Sequence, residues 1–488
     1  MPLLLYRTLR FALRSALGVF FVDIESTGEA TIPERGPVIF AANHPNSIMD
    51  TVILGTRTPR TIHYMARSGL FKNPVVAWIF DRCGVIPVYR KQDDPSLTSQ
   101  NESAFEAAFE VLRKGGCIGI FPEGQNAPER RVRDLKTGTA RIALGALDTP
   151  DPPERLLIVP VGLNFENRDR FLSRVLVRFA EPIDATDFLA DYAVDPRAAA
   201  RALTDQIQER LRCVAVHILD NLSVELVEDI QKIYGHQLLD ALADDAENRP
   251  ELHTRYLEKI RASTAHHPSL DDTFYLKQRI SDAVDYFLEH EPTRVDAIRQ
   301  HIRAYKEDLD QAKLRYSFAT RPPETLSLRL DALKLSLYAV FLAPVFLWGV
   351  LNNLIPFKLT GAAVLRADDE AKRAFTGLTV GTLLFNIFLA VQTWAIYALF
   401  GSALGAALYA VSVPLSGLFA LRYWRQLARY RDRIVVRTLF LSQSRLLDRL
   451  LARRKLLLDE LESLRETFML AIQDAQEANE IGIATEIP

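Results

Sequence analysis

Hydrophobic positions along this chain fall into three regimes. Between Ile32 and Ile183, short apolar runs alternate with longer amphipathic ones. The runs Val38–Ala42, Thr61–Ala66, Val85–Val88, Ile118–Phe121, Ile158–Leu163 and Val175–Phe179 read as strands; Thr51–Leu54, Ser103–Lys114 and Thr137–Leu147 read as helical. That alternation predicts an α/β domain over 32–185, a central sheet flanked by helices, with its polar punctuation at strand ends. From 186 to 330 the spacing is helical and rich in charge, with apolar stripes Leu203, Ile207, Leu211, Val214 and Val295, Ile298, Ile302, Tyr305. This predicts an all-α region. Leu335–Leu351 is then uncharged, and Leu378–Leu421 has no charged residue, enough for two spans of about 20 residues each. Gly401, Ser402 and Gly405 mark the reversal between them. Transmembrane helices are therefore expected within 331–421, and a helical tail over 422–488.

Charge changes the picture at both ends. Residues 1–24 set Arg7, Arg10 and Arg14 among Leu, Phe and Val, an amphipathic helix suited to an anionic membrane surface. A packing helix on a globular domain has the same pattern. Arg422, Arg425, Arg429, Arg431 and Arg433 crowd the exit of the apolar segment, which places the tail in the cytoplasm. With the α/β domain also on the cytoplasmic face, the Leu335 run, interrupted by Pro344, is expected to be re-entrant or interfacial. A three-span count with the tail inverted is the alternative. The 488 residues carry a net charge of -2, which argues against a whole-chain grip on nucleic acid. Cys83, Cys117 and Cys213 form neither an even disulfide set nor a metal-ligand spacing, which fits a reducing compartment.

Chemistry enters at strand ends. The strand Val38–Ala42 delivers His44 into a turn, and Asp50 follows six positions later. An imidazole takes protons near neutral pH, and a nearby carboxylate fixes its tautomer. The same residues also suit a helix start, with Asn46 or Ser47 as cap and Asp50 near the positive helix end. Further on, Arg90 ends the strand after Gly84 with a guanidinium shaped for phosphate. Phe121-Pro122-Glu123-Gly124 supplies a carboxylate and a glycine in a proline-fixed turn. Arg130, Arg131, Arg133 and Lys136 form a dense cationic run, and Val159-Pro160-Val161 opens the last apolar strand but one.

In order and joint presence, Asn43-His44…Asp50, Gly84…Arg90, Phe121-Pro122-Glu123-Gly124 and Val159-Pro160-Val161 resemble the four blocks of the glycerolipid acyltransferase superfamily. The resemblance spans Ile32 to Ile183. Most members have four residues between His and Asp; here there are five, Pro45 to Met49. On a regular helix one extra residue swings the carboxylate by about 100°, so the pair meets only if Pro45-Asn46 bulges out before the helix. This spacing, with Gly162-Leu163-Asn164-Phe165 and Phe171-Leu172-Ser173-Arg174, resembles the glycerol-3-phosphate/dihydroxyacetone-phosphate acyltransferase branch, whose members carry C-terminal membrane segments.

The resemblance implies acyl transfer from acyl-CoA or acyl carrier protein, as co-substrate, to a hydroxyl of glycerol-3-phosphate or dihydroxyacetone phosphate. His44 would be the general base and Asp50 its orienting partner. Arg90, Lys136 and Arg130, Arg131 or Arg133 would hold the acceptor phosphate, and Glu123 and Gly124 would shape its pocket. Neither a metal nor another cofactor is implied, and the other partners are membrane lipids. The alternatives are a lysophospholipid (1-acylglycerol-3-phosphate) acyltransferase and, from another class, an inactive lipid-binding scaffold.

Overall fold

A computed structural model describes residues 3–89, 101–126, 130–218, 221–248, 270–311, 328–367, 370–442 and 444–480. The chain folds into two compact units: Met1–His217 with Ala363–Val380, and Ile218–Ala362 with Gly381–Pro488.

The first unit is built on strands β1 (Asp23–Thr27), β2 (Val38–Ala42), β3 (Ile62–Arg67), β4 (Ile86–Val88), β5 (Cys117–Ile120), β6 (Leu157–Phe165), β7 (Arg174–Phe179) and β8 (Ile183–Asp184). Their order is β1-β7-β6-β2-β5-β3-β4, with β8 beside β6. β6, β2, β5, β3 and β4 run parallel, and β7 turns back antiparallel on β6. All five residues of β2 are fully buried, as expected for a central strand covered on both faces. Its alternation assigns Val38, Phe40 and Ala42 to one core and Ile39 and Ala41 to the other.

Helices α1 (Leu3–Phe20) and α2 (Ile48–Arg57) contribute to the first core through Leu17, Phe20, Ile53 and Leu54. Helices α3 (Pro74–Arg82), α4 (Asn101–Arg113), α5 (Gly138–Leu147), α6 (Leu189–Val194) and α7 (Pro196–Val214) follow in chain order. α4, α5 and α7 supply Ala108, Leu112, Ile142, Leu144, Leu203 and Ile207 to the second core. Because α7 is bound to the sheet in this way, the α/β unit runs beyond residue 185 to His217. α1 is a packing helix along one face, with Arg10 donating to the carbonyl of Pro59 at 3.3 Å and to that of Thr58.

In the second unit, helices α8 (Asn221–Asn248), α9 (Leu270–His290) and α10 (Pro292–Gln311) pack with α14 (Ser444–Glu480). Lys306 pairs with Asp229 at 2.7 Å, and Arg453 with Asp308 at 2.8 Å. The long helices are α11 (Leu328–Leu365), α12 (Glu370–Phe400) and α13 (Ala403–Ser442). They contain three stretches long and apolar enough to cross a membrane: Ser336–Leu365, Lys372–Phe400 and Ala403–Leu427. The reversal falls at Gly401, whose φ is 64°, as the sequence predicted. The Leu335 run, expected to be re-entrant or interfacial, is not interrupted at its proline: α11 is one continuous helix with Pro344 and Pro356 inside it. In membrane helices neighbouring groups re-satisfy the carbonyls that proline frees, so proline need not end them. Residue 421 is no structural break either, since α13 continues to Ser442.

Candidate active site

The site starts where β2 ends. Asn43 locks the departing chain to β6: its Nδ2 donates to the Leu163 carbonyl at 3.2 Å, and its Oδ1 accepts from the Leu163 N–H at 2.7 Å. A side-chain amide thus continues the strand ladder for one residue, satisfying both backbone groups of Leu163. The chain then leaves the helical path over Pro45 and Asn46. Ser47 stands at φ 51°, ψ -127° immediately before α2 begins at Ile48. This is the bulge that the five-residue spacing demanded. Neither Asn46 nor Ser47 makes the expected cap: Ser47 holds the N-cap position with no side-chain cap hydrogen bond, and the Asn46 Nδ2 donates instead to the Arg168 carbonyl at 2.7 Å.

The outcome is a contact. His44 Nδ1 lies 2.9 Å from Asp50 Oδ2, with the imidazole 16% exposed and the carboxylate fully buried. Carboxylate oxygens only accept, so Nδ1 carries the proton and Nε2 is left as an acceptor. The backbone N–H of Asn46 donates to the same Oδ2 at 2.7 Å. Burial pushes the Asp50 carboxyl above its ordinary range, while the bonds from His44 and Asn46 and the charge of Arg168 oppose that rise. The imidazole also stacks on Phe121, with centroids 4.1 Å apart and planes at 17°. Since β2 and β5 are parallel neighbours, the first and third blocks meet at the carboxyl edge of the sheet, where open α/β sheets bind ligands.

Beyond Phe121 the turn closes through the Gly124 N–H on the Phe121 carbonyl at 3.0 Å, and the Lys136 N–H on the Pro122 carbonyl at 3.0 Å. Glu123 is buried. Gly124 has φ 73°, and a Cβ there would sit 2.8 Å from Lys136 Nζ, so the lysine side chain lies directly over the glycine. Arg130 reaches the Glu166 carbonyl at 2.8 Å, just past the end of β6. Arg133 is half-buried and Arg131 is exposed. Between those two, the Val132 N–H donates to His217 Nδ1 at 2.9 Å. Arg90 lies outside the described residues.

Other residues around the site were not singled out from sequence. Arg168 donates to the Pro45 carbonyl at 3.4 Å and lends its charge to Asp50. The cation-rich run Arg168-Asp169-Arg170, soon after the fourth block, was the signal available. His217 pins the cationic loop from 85 residues away, with no local pattern to flag it. Gly162 and Asn164 prove to be docking residues. A Cβ on Gly162 would fall 2.1 Å from the Val214 carbonyl oxygen, and the Asn164 Nδ2 donates to that oxygen at 2.9 Å.

Residues 23–164 match the family model described as Acyltransferase. Glycerol-3-phosphate O-acyltransferase 1 of Saccharomyces cerevisiae is 25% identical over 321 residues, 48% of this chain and 42% of that protein. Glycerol-3-phosphate O-acyltransferase 2 of the same yeast is 30% identical over 28% of this chain and 18% of its own length. The chloroplastic 1-acyl-sn-glycerol-3-phosphate acyltransferase LPAT1 of Arabidopsis thaliana is 26% identical over 25% and 33%, respectively. The chain thus spans less than half the length of these curated relatives. The crystal structure of the 1-acyl-sn-glycerophosphate acyltransferase PlsC from Thermotoga maritima superposes with a TM-score of 0.31 at 22% identity, over 42% of this chain and 78% of that one, too loosely to carry weight. Residues 23–164 thus match an acyltransferase-family domain, and the chain is similar to glycerolipid acyltransferases, over 321 residues to a glycerol-3-phosphate O-acyltransferase.

Proposed function

We propose that this chain is a membrane-bound acyltransferase that moves a fatty acyl group from acyl-CoA or acyl carrier protein to a hydroxyl of glycerol-3-phosphate or dihydroxyacetone phosphate. The observation that carries the reading is the His44 Nδ1 to Asp50 Oδ2 bond of 2.9 Å, which leaves Nε2 open as a base. Nε2 takes the hydroxyl proton as the acceptor oxygen attacks the thioester carbonyl. The tetrahedral intermediate collapses, the C–S bond breaks, and the same proton passes from His44 to the departing thiolate. Asp50 holds the tautomer and stabilises the imidazolium in between. Arg90 and Lys136, with Arg130, Arg131 or Arg133, hold the acceptor phosphate, and Glu123 and Gly124 shape the pocket around its hydroxyls. The three apolar helices anchor the chain, with the catalytic domain on the cytoplasmic face and acyl chains arriving from the lipid.

A lysophospholipid acceptor is the second reading, favoured by the similarity to LPAT1 of Arabidopsis thaliana. Purified protein in proteoliposomes, given labelled acyl-CoA or acyl carrier protein and a panel of acceptors, separates the two. Acylation of glycerol-3-phosphate or dihydroxyacetone phosphate ahead of lysophosphatidate is expected. Acylation of none of the acceptors, or identical turnover by His44→Ala, overturns the enzyme and leaves a lipid-binding scaffold.

A further inference from the structure

The strand β3 ends at Arg67, on the same edge of the sheet as His44 and Phe121, because β2, β5 and β3 are parallel. There the chain enters a 3-10 turn, Ser68–Lys72, and then α3, Pro74–Arg82. Six of the nine α3 residues, Val75 to Phe80, are apolar or aromatic, yet neither element contains one buried residue. Val75 is 65% exposed and Trp78 53%. Within the segment, Phe71 packs edge-on against Phe80 at 5.3 Å, and Arg82 covers the Trp78 ring at 5.3 Å. Its rim is cationic: Arg67, Lys72 and Arg82 are exposed, against the single carboxylate of Asp81.

An exposed apolar surface on a helix this short has no core to serve. Tryptophan beside arginine and lysine around an apolar patch is the chemistry of the lipid headgroup region, where the ring is half solvated and the cations meet phosphate. Three neighbouring features of the same unit fit that occupant. Val85, directly after α3, packs against the core face that α1 covers. Along its ~27 Å, α1 itself exposes Phe11 and Val19 with Arg7 and Arg14. Ala374 and Leu378, at the root of α12, are buried in that same core face.

We propose that Ser68–Arg82 is an interfacial wedge, inserted into the headgroup layer of an anionic bilayer so that the carboxyl edge of the sheet sits at lipid level. The inference rests on the membrane reading of the apolar helices and not on the acyl-transfer chemistry.

The experiment uses full-length protein in phosphatidylcholine vesicles with or without phosphatidylglycerol, with Trp348, Trp394 and Trp424 replaced by Phe so that Trp78 reports alone. Blue-shifted emission is expected, quenched more by a headgroup nitroxide lipid than by one labelled at the chain end. Severalfold protection from acrylamide relative to free indole is expected as well. Phosphatidylglycerol should strengthen the lipid quenching, and Arg67→Gln with Lys72→Gln and Arg82→Gln should remove that dependence. In wild-type protein, which needs no substitution, a headgroup-level photoactivatable lipid should leave adducts within 70–80. Free acrylamide quenching with no response to lipid nitroxide overturns the wedge, and so does shielding from both quenchers, which would mean a protein cover. Release of the wild-type chain from vesicles by alkaline carbonate would instead overturn the membrane reading itself.

Discussion

The imidazole of His44 lies flat on the ring of Phe121, 4.1 Å between centroids, so the first and third blocks of the motif set are one physical object. The ring shields one face of the base from water and prevents it from swinging off Asp50. Aromatic pairs of this kind contribute about 0.5–1.5 kcal/mol beyond their burial. Phe121→Leu should therefore lower kcat by up to about tenfold with KM for the acceptor unchanged, measured in proteoliposomes; a rise in KM alone would contradict this role.

Asp50→Asn separates orientation from folding. The amide offers an N–H where the carboxylate accepted, so His44 is driven toward the wrong tautomer. Turnover is expected to fall by about 10²–10⁴. The fold should gain rather than lose stability at neutral pH. The buried Asp50 carboxyl has its folded pKa raised, chiefly by desolvation, so its contribution is present at acid pH and lost as pH rises through that value. Urea melts of wild type and variant should then converge in acid and diverge towards neutral pH. A variant less stable than wild type at neutral pH would refute the desolvation account.

His217 ties the cationic loop to the end of α7 as an acceptor for the Val132 N–H. Burial, with the charges of Arg212 and Arg131, lowers its pKa to about 4. A folded pKa below the ordinary value of about 6.5 means that native protein binds fewer protons there than unfolded chain. The stabilisation is present above that ordinary value and is lost as pH falls from it towards 4. Acidification towards pH 4 should therefore raise KM for the phosphate acceptor, and His217→Ala should raise KM already at neutral pH. An acid-insensitive KM would remove His217 from this role.

Ser47 carries a backbone conformation, φ 51° with ψ -127°, that glycine adopts freely. Ser47→Gly should keep activity and change stability by no more than about 1 kcal/mol, whereas Ser47→Val should destabilise by about 1–3 kcal/mol and reduce turnover through the displaced turn. Thermal melts beside the acceptor assay test both. Equal activity in the two variants would show that the turn does not set the catalytic geometry.

Much of the architecture was legible as pattern. Each candidate strand appears within one or two residues of its expected bounds, because strands buried on both faces must be continuously apolar. β1 escaped that reading: Asp23–Thr27 buries only Ile24 and exists by pairing with β7, about 150 residues on. This edge strand has no apolar run to announce it. Lys136 was legible as one cation in a run, but its seat over Gly124 was not, because a close approach leaves no mark beyond the glycine itself.

By itself the sequence determined which segments are strand, helix and apolar span, and it set the four blocks in order at strand ends, since period and hydrophobicity are local properties. Whether His44 and Asp50 touch was decided by tertiary structure. That contact depends on one positive φ at Ser47 and on Asn43 being pinned to Leu163, 120 residues away. Long-range hydrogen bonds and a single torsion fix positions to a fraction of an ångström, and neither is written in the spacing of residue types.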